Sequence, residues 1–156
     1  MIEVTPEDIL NGDWNTLDPD HMPFRIYEVV EGDVTLYIGK SRKPFNRIVE
    51  HFDWMPRGNY QIQQIRKAYP DIVRTWKVRL YTLQDCETVI MKHFDYLVKD
   101  YHDPRYYTVT ANRAEIAMIQ EKHPCLNRTY NDEPAALPER YQYVNLDDNA
   151  VDYIHL

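Results

Sequence analysis

Several features that would mark a secreted or membrane protein are scarce in this chain. It has only two cysteines, Cys86 and Cys125, too few for a disulfide framework. No apolar run approaches the roughly 20 residues of a membrane-spanning helix. The opening MIEVTPEDILNGDW lacks the basic start and apolar run of a secretory signal. The expected location is therefore cytoplasmic or nucleoid-associated, with no membrane partner. There is no internal repeat and no low-complexity segment. Cys86, His93, His123 and Cys125 fit no standard zinc spacing, and neither a zinc finger nor a helix-turn-helix pattern is recognisable. At 156 residues and 44% hydrophobic, the chain suits one compact domain with a real core.

Net positive charge is lacking too. The total is −7, at first sight a poor match for nucleic acid, whose affinity comes mainly from Lys and Arg meeting phosphates. The distribution changes the picture. Residues 1–20 hold six acids and no Lys or Arg, and residues 131–156 hold six acids against Arg140 alone. Between them, residues 21–130 carry a net +4. A mildly basic centre between acidic ends is compatible with polyanion binding, although solvated faces and loose termini would look the same.

Periodicity places the elements. Residues 1–23 read as an acidic segment with a short helix at best, then loop. Phe24 to Val30 and Val34 to Ile38, joined by Glu31-Gly32-Asp33, read as a hairpin. Pro44 suits a first helical turn, and Phe45, Ile48, Val49 and Phe52 then follow helical spacing. Ile62, Ile65 and Tyr69 predict a second short helix, stopped by Pro70. Residues 72–83 read as a third strand, with Trp76, Val78 and Leu80 on one face. A helix over 85–101 should bury Cys86, Val89, Ile90, Phe94 and Leu97 and end at Asp103-Pro104. A last helix is expected from about Asn112 to Lys122, followed by an extended acidic tail over 131–156. The expected fold is a small α/β domain, a three-stranded antiparallel sheet flanked by helices.

The stretch 25–52 gathers the chemistry. Tyr27 and Tyr37 lie on adjacent strands, while Arg47 and His51 are four apart and share a helix face opposite the apolar stripe. Gly39, Lys40 and Ser41 allow close approach of backbone and an ammonium to a ligand. Two phenols, a guanidinium, an imidazole and a lysine suit a phosphate far better than an apolar ligand.

In their order, these residues resemble the GIY-YIG nuclease family. Its two tripeptides would be Arg25-Ile26-Tyr27 and Tyr37-Ile38-Gly39. Its arginine falls on Arg47, and the histidine one turn later falls on His51. Its metal-binding glutamate and Pro-x-x-Asn ending resemble Glu115 with Pro124-Cys125-Leu126-Asn127. The resemblance covers roughly residues 24–130 and implies a Mg²⁺-dependent DNA endonuclease, with Mn²⁺ able to substitute. It departs from the family in two places. Arg25 replaces the first glycine, and the interval from Arg47 to Glu115 is longer than usual. Glu87 stands at the usual interval but lacks the downstream Pro-x-x-Asn, so Glu115 is the preferred metal ligand and residues 84–110 are expected to be an insertion.

The resemblance also implies roles. A phosphodiester resists attack, so its hydrolysis needs charge neutralisation, an activated water and a stabilised leaving oxygen. One carboxylate, Glu115, suits a hydrated Mg²⁺, which takes few protein ligands. Tyr27 would act as general base or relay the proton, with Lys40 or the metal lowering its pKa from the usual ~10. Arg47 would stabilise the pentacovalent phosphorus, Tyr37 and His51 would orient the phosphate and its water, and Asn127 would brace Glu115 or the closing loop. The expected partner is double-stranded DNA. With one active site per chain, cutting both strands calls for a homo-oligomer or two successive encounters.

Each residue has a plainer reading as well. Tyr27 and Tyr37 could be cross-strand packing. Arg47 could pair with Glu50 or Asp53, His51 could cover a helix end, and Lys40 could be a solvated turn lysine. Asn112-x-x-Glu115 is spaced like a capping box, which would make Glu115 a helix-start residue. The rival functions are a non-catalytic DNA-binding or regulatory module on the same fold, and a nuclease held inactive by its own acidic ends.

Overall fold

The computed structural model describes residues 1–12, 23–95 and 103–147. The chain builds a four-stranded antiparallel sheet in the order β1-β4-β2-β3, flanked by helices. The strands are β1 (Ile2–Val4), β2 (Phe24–Glu31), β3 (Val34–Lys40) and β4 (Lys77–Thr82). The hairpin is as expected, and β3 continues through Gly39 to Lys40 rather than breaking there. A fourth strand is the correction. Residues 2–4 pair with β4, placing Glu3 opposite Arg79, whose side chains form an ion pair at 2.9 Å. Three residues are too short for alternation to be read from sequence.

One face of the sheet carries α1 (Pro6–Asn11), α2 (Pro44–Phe52), α3 (Tyr60–Ala68) and α4 (Ile72–Thr75). Phe45, Ile48, Phe52, Ile62, Ile65, Ile72 and Trp76 pack there against Tyr27, Val29, Leu36, Val78 and Leu80. The strand expected over 72–83 thus begins only at Lys77. Ile72–Thr75 form a short helix instead, with Ile72 buried and Trp76 leading from it into the strand. The opposite face carries α5 (Glu87–Phe94) and α6 (Pro104–Lys122), where Cys86, Ile90, Ala111, Ala114 and Ile119 cover Ile26 and Ile38. The helix expected over 85–101 is shorter than that: it ends at Phe94, with Asp95 as a left-handed C-cap, and Leu97 lies outside the described residues. No described helix is long and apolar enough to cross a membrane.

Two further corrections bear on function. The last helix starts at Pro104, not near Asn112, with Asp103 as its N-cap accepting from the Arg105 amide. Asp103-Pro104 is therefore a helix start: an acidic cap followed by proline at the first position. Asn112 is mid-helix, so the capping-box reading of Glu115 falls. The segment after α6 is not loose either. The Cys125 and Leu126 amides donate to the Thr35 and Leu36 carbonyls along the free edge of β3. Tyr141 is fully buried, and the Trp76 indole donates to its hydroxyl at 3.0 Å. Removing residues 131–156 would therefore open the core, not merely strip charge.

Candidate active site

The hairpin and α2 bring Tyr27, Tyr37 and His51 into one cluster. Ring centroids are 6.2 Å apart for the two tyrosines, and His51 lies 5.7 and 5.5 Å from them. Gly39 makes this possible. It pairs with Tyr27 across the strands, and the phenol lies directly over it; a Cβ there would stand 2.2 Å from the Tyr27 hydroxyl. Glycine at this position is required by the tyrosine it faces, more than by any ligand. Gly58 plays a similar part, since a Cβ on it would stand 2.0 Å from the Glu50 carbonyl. It lets the loop after α2 come close enough to place Asn59 against His51.

His51 is fully buried beneath this cluster, where sequence placed it on a groove. Residues four apart do share a face, but the loop 53–59 folds over that face and covers the imidazole. Its tautomer follows from its partners. The Asn59 backbone N–H donates to Nδ1 at 2.8 Å, so Nδ1 carries a lone pair. Nε2 must then carry the proton, and it donates to the Tyr27 hydroxyl oxygen at 2.7 Å. Burial, reinforced by the Arg47 charge, pushes the His51 pKa down to about 3. This histidine is a fixed neutral donor and accepts no proton in the working range.

Tyr27 is 1% exposed, and burial holds its pKa well above the ordinary phenol value, with Tyr37 adding to the rise and Arg47 opposing it. Tyr37 is half-buried and lines an open cleft. Burial raises its pKa too, opposed first by the Arg47 charge and also by hydrogen bonds with Asn59 and Tyr27. Only Tyr37 of the pair fronts the cleft.

Two clefts flank the cluster. One, of about 680 Å³, is lined by Lys40, Arg42, Lys43, Arg47 and Arg57, with Glu50 as its acid. Arg47 donates to Glu50 at 2.6 Å and to the Arg57 carbonyl at 2.5 Å, which fixes its guanidinium at the end of the cleft nearest the tyrosines. The other, of about 410 Å³, runs past Tyr37, Asn59, Glu115 and Asn127. Glu115 comes from α6, on the opposite face of the sheet, and reaches the cleft around β3. The Lys40 backbone N–H favours its charged form. Burial raises its pKa, and the Lys40 charge opposes the rise.

The Asn127 amide bonds to the sheet rather than to Glu115. Its amide oxygen accepts from the Ile38 N–H at 2.8 Å, and its amide nitrogen donates to the Ile38 carbonyl at 2.9 Å. It caps the β3 edge as another strand would, so its role is to position. Glu87 opens α5 and lines neither cleft. Sequence reading missed Asn59, although its place before the apolar spacing of α3 is an N-cap signal, and it missed Arg57 and Tyr130. Among the described residues, no three His, Cys, Asp or Glu side chains converge on a common point. No family model, no curated protein and no solved structure matches this chain.

Proposed function

We propose that the protein is a metal-dependent endonuclease that hydrolyses phosphodiester bonds of double-stranded DNA, on a GIY-YIG-like plan. The observation that carries this reading is the hydrogen-bonded Tyr27–His51 pair, with Tyr37 and Arg47 packed against it. Mere cross-strand packing of tyrosines requires neither a buried histidine of fixed tautomer nor a guanidinium. The five cations beside the cluster suit the phosphates of a duplex.

Glu115 fits a Mg²⁺ ion. It offers one hard oxygen donor group at the wall of a cleft roomy enough for a hydrated cation. When bound, the ion supplies positive charge to a non-bridging phosphate oxygen. The chain's own residues do the rest. Arg47 meets the charge that builds on the phosphorus oxygens. Tyr37 at the cleft, with Tyr27 behind it, takes a proton from the attacking water once ionised; burial keeps both phenols mostly protonated at neutral pH, so this step strengthens towards alkaline pH. His51 cannot take that proton onward; its Nε2–H steadies the Tyr27 oxygen whether that oxygen is phenol or phenolate. The P–O bond to the leaving nucleoside then breaks, leaving a phosphomonoester, and the departing oxygen is protonated from solvent.

The test is cleavage of supercoiled plasmid with Mg²⁺ or with EDTA. Nicking is expected with Mg²⁺ alone. Glu115→Gln should melt like the parent, bind DNA and cleave nothing, because a neutral amide is a poor Mg²⁺ ligand. Glu87→Gln should remain active. The reverse pair of results would move the metal to α5. A folded wild-type protein that binds plasmid without ever cutting it would leave a non-catalytic binding module.

A further inference from the structure

Phosphate chemistry uses only part of the cleft that holds Glu115. Its lining is mostly polar, from Asn59, Gln61, Asn127, Arg128 and Thr129, over buried Ile38, Ile119 and Leu126, and its mouth is flanked by the exposed ring of Tyr130. A phosphate and a hydrated cation at Glu115 have no use for the exposed ring of Tyr130. Five cations line the neighbouring cleft, from Lys40 to Arg57, against Arg128 alone here, so the sugar-phosphate chain is drawn there. What remains for the Glu115 side is an uncharged, flat part of the same nucleotide. The volume of about 410 Å³ falls within the roughly 300–1,000 Å³ of small-molecule sites.

Tyr130 is 53% exposed and adopts φ +60°, a left-handed conformation that bulky residues rarely take. It is nevertheless firmly mounted. The next residue, Asn131, is buried and donates to the Pro124 carbonyl at 2.7 Å and the Asn127 carbonyl at 2.9 Å, while Asn127 is itself clamped to Ile38. A braced loop thus holds an aromatic ring in solvent beside the reacting groups. Arg128 lines the same cleft. In the orientation that satisfies both ends of its amide, Gln61 donates to the Leu126 carbonyl and accepts from Arg128 at 2.8 Å, which holds the guanidinium in place. Arg128 and Thr129 supply donors for the edge of a base.

We infer that this cleft receives an unpaired nucleobase next to the bond being cut, stacked on Tyr130, with its edge toward Arg128 and Thr129. The inference rests on the nuclease reading and narrows its substrate class. Bases inside a duplex cannot reach such a cleft without leaving the stack, which costs least where a base is already unpaired. The preferred substrate is therefore duplex DNA carrying a bulged or mismatched nucleotide.

Binding in EDTA tests this without cleavage. The probes are two otherwise identical duplexes, one fully paired and one with a single bulged 2-aminopurine. The wild-type protein should bind the bulged duplex about tenfold more tightly or better, the scale of one base–aromatic stack, and quench the 2-aminopurine. Tyr130→Ala should abolish both the preference and the quenching, while Tyr130→Phe should keep both because it keeps the ring. Equal affinity of the wild-type protein for the two duplexes would overturn the inference, yet leave the nuclease reading standing if plasmid is still cut. A preference that survives Tyr130→Ala would also overturn it. Binding to neither duplex, with plasmid intact, would sink both readings together.

Discussion

On one side of Lys40 the lining is Arg42, Lys43, Arg47 and Arg57, with Glu50 as the acid. On the other it is mostly polar and uncharged, with Tyr37, Asn59, Asn127, Thr129 and Tyr130, Arg128 as the cation and Glu115 as the acid. The first cleft consists of cationic side chains from the end of β3, the turn before α2, α2 itself and the loop after it. The second is made by backbone held in place by side-chain amides, through Asn127 on Ile38 and Asn131 on the Pro124 and Asn127 carbonyls. Long cations recognise charge and tolerate a shifting outline, whereas a braced wall recognises shape. The tyrosine pair stands where the two kinds of recognition meet. Substitutions on either side should therefore fail differently.

The largest effect is expected where the cationic cleft touches the tyrosines. Arg47→Ala should lower plasmid cleavage by roughly 10²–10³-fold, since charge on the phosphorus would go unmet. Tyr27→Phe should lower it about 10²-fold or more, with the fold intact. The rate should rise towards alkaline pH as a phenol is ionised, with no inflection near the usual histidine value, because His51 stays neutral throughout. Near-normal turnover in both variants would leave charge recognition without chemistry.

Next comes the boundary between the clefts. Gly39→Ala must displace the Tyr27 ring, which has no free space around it. A melting curve should show a loss of about 1–3 kcal/mol, typical of an overpacked core, and cleavage should fall with it. An alanine variant as stable and active as the parent would mean that the phenol is not held over β3.

The covered face of α2 should make stability depend on pH. The folded His51 pKa is about 3, below its unfolded value near ~6.5. Between these values the unfolded chain binds the extra proton, so the stability this histidine contributes is present above about pH 6.5 and is lost as pH falls towards 3. His51→Gln, which can still accept from Asn59 and donate to Tyr27, should flatten the fall in melting temperature across that window. An unchanged slope would place the acid sensitivity elsewhere.

The smallest effect belongs to the exposed cations. Lys43→Ala should weaken duplex binding uniformly across sequences and reduce the slope of log affinity against log salt by about 0.9. A sequence-dependent loss would show that the cationic cleft reads more than charge.

Much of the reactive hairpin was legible because its signals are local. Strand alternation, the Gly32 turn, Pro44 at a helix start and the Phe45–Phe52 spacing each lie within a few residues. Glu115 was reached only through a resemblance, and the sequence could not show that α6 lies across the sheet from α2 and meets Tyr37 around β3. Asp103-Pro104 was readable but read backwards. The β-favouring run Tyr106 to Thr110 hid a helix whose start signal stands just before it, and packing against α5 and the sheet outweighs that propensity. The burial of His51 was not legible at all, since it depends on Gly58 letting a loop close over α2. Gly39 was noticed for the wrong reason, as an opening for a ligand instead of a seat for a phenol.

The clamp on β3 has a consequence for how two copies of the chain could meet. Hydrogen bonds from 125–127 already fill one border of the sheet, and the opposite border is β1, only three residues long. Neither offers the long unpaired strand on which a second molecule could extend the sheet. Self-association would have to proceed through helical or loop surfaces. Under the proposed function, a chain that meets DNA alone would make one incision per visit, so a broken duplex would be the sum of two separate nicks, and nicked circles should accumulate before linear DNA appears.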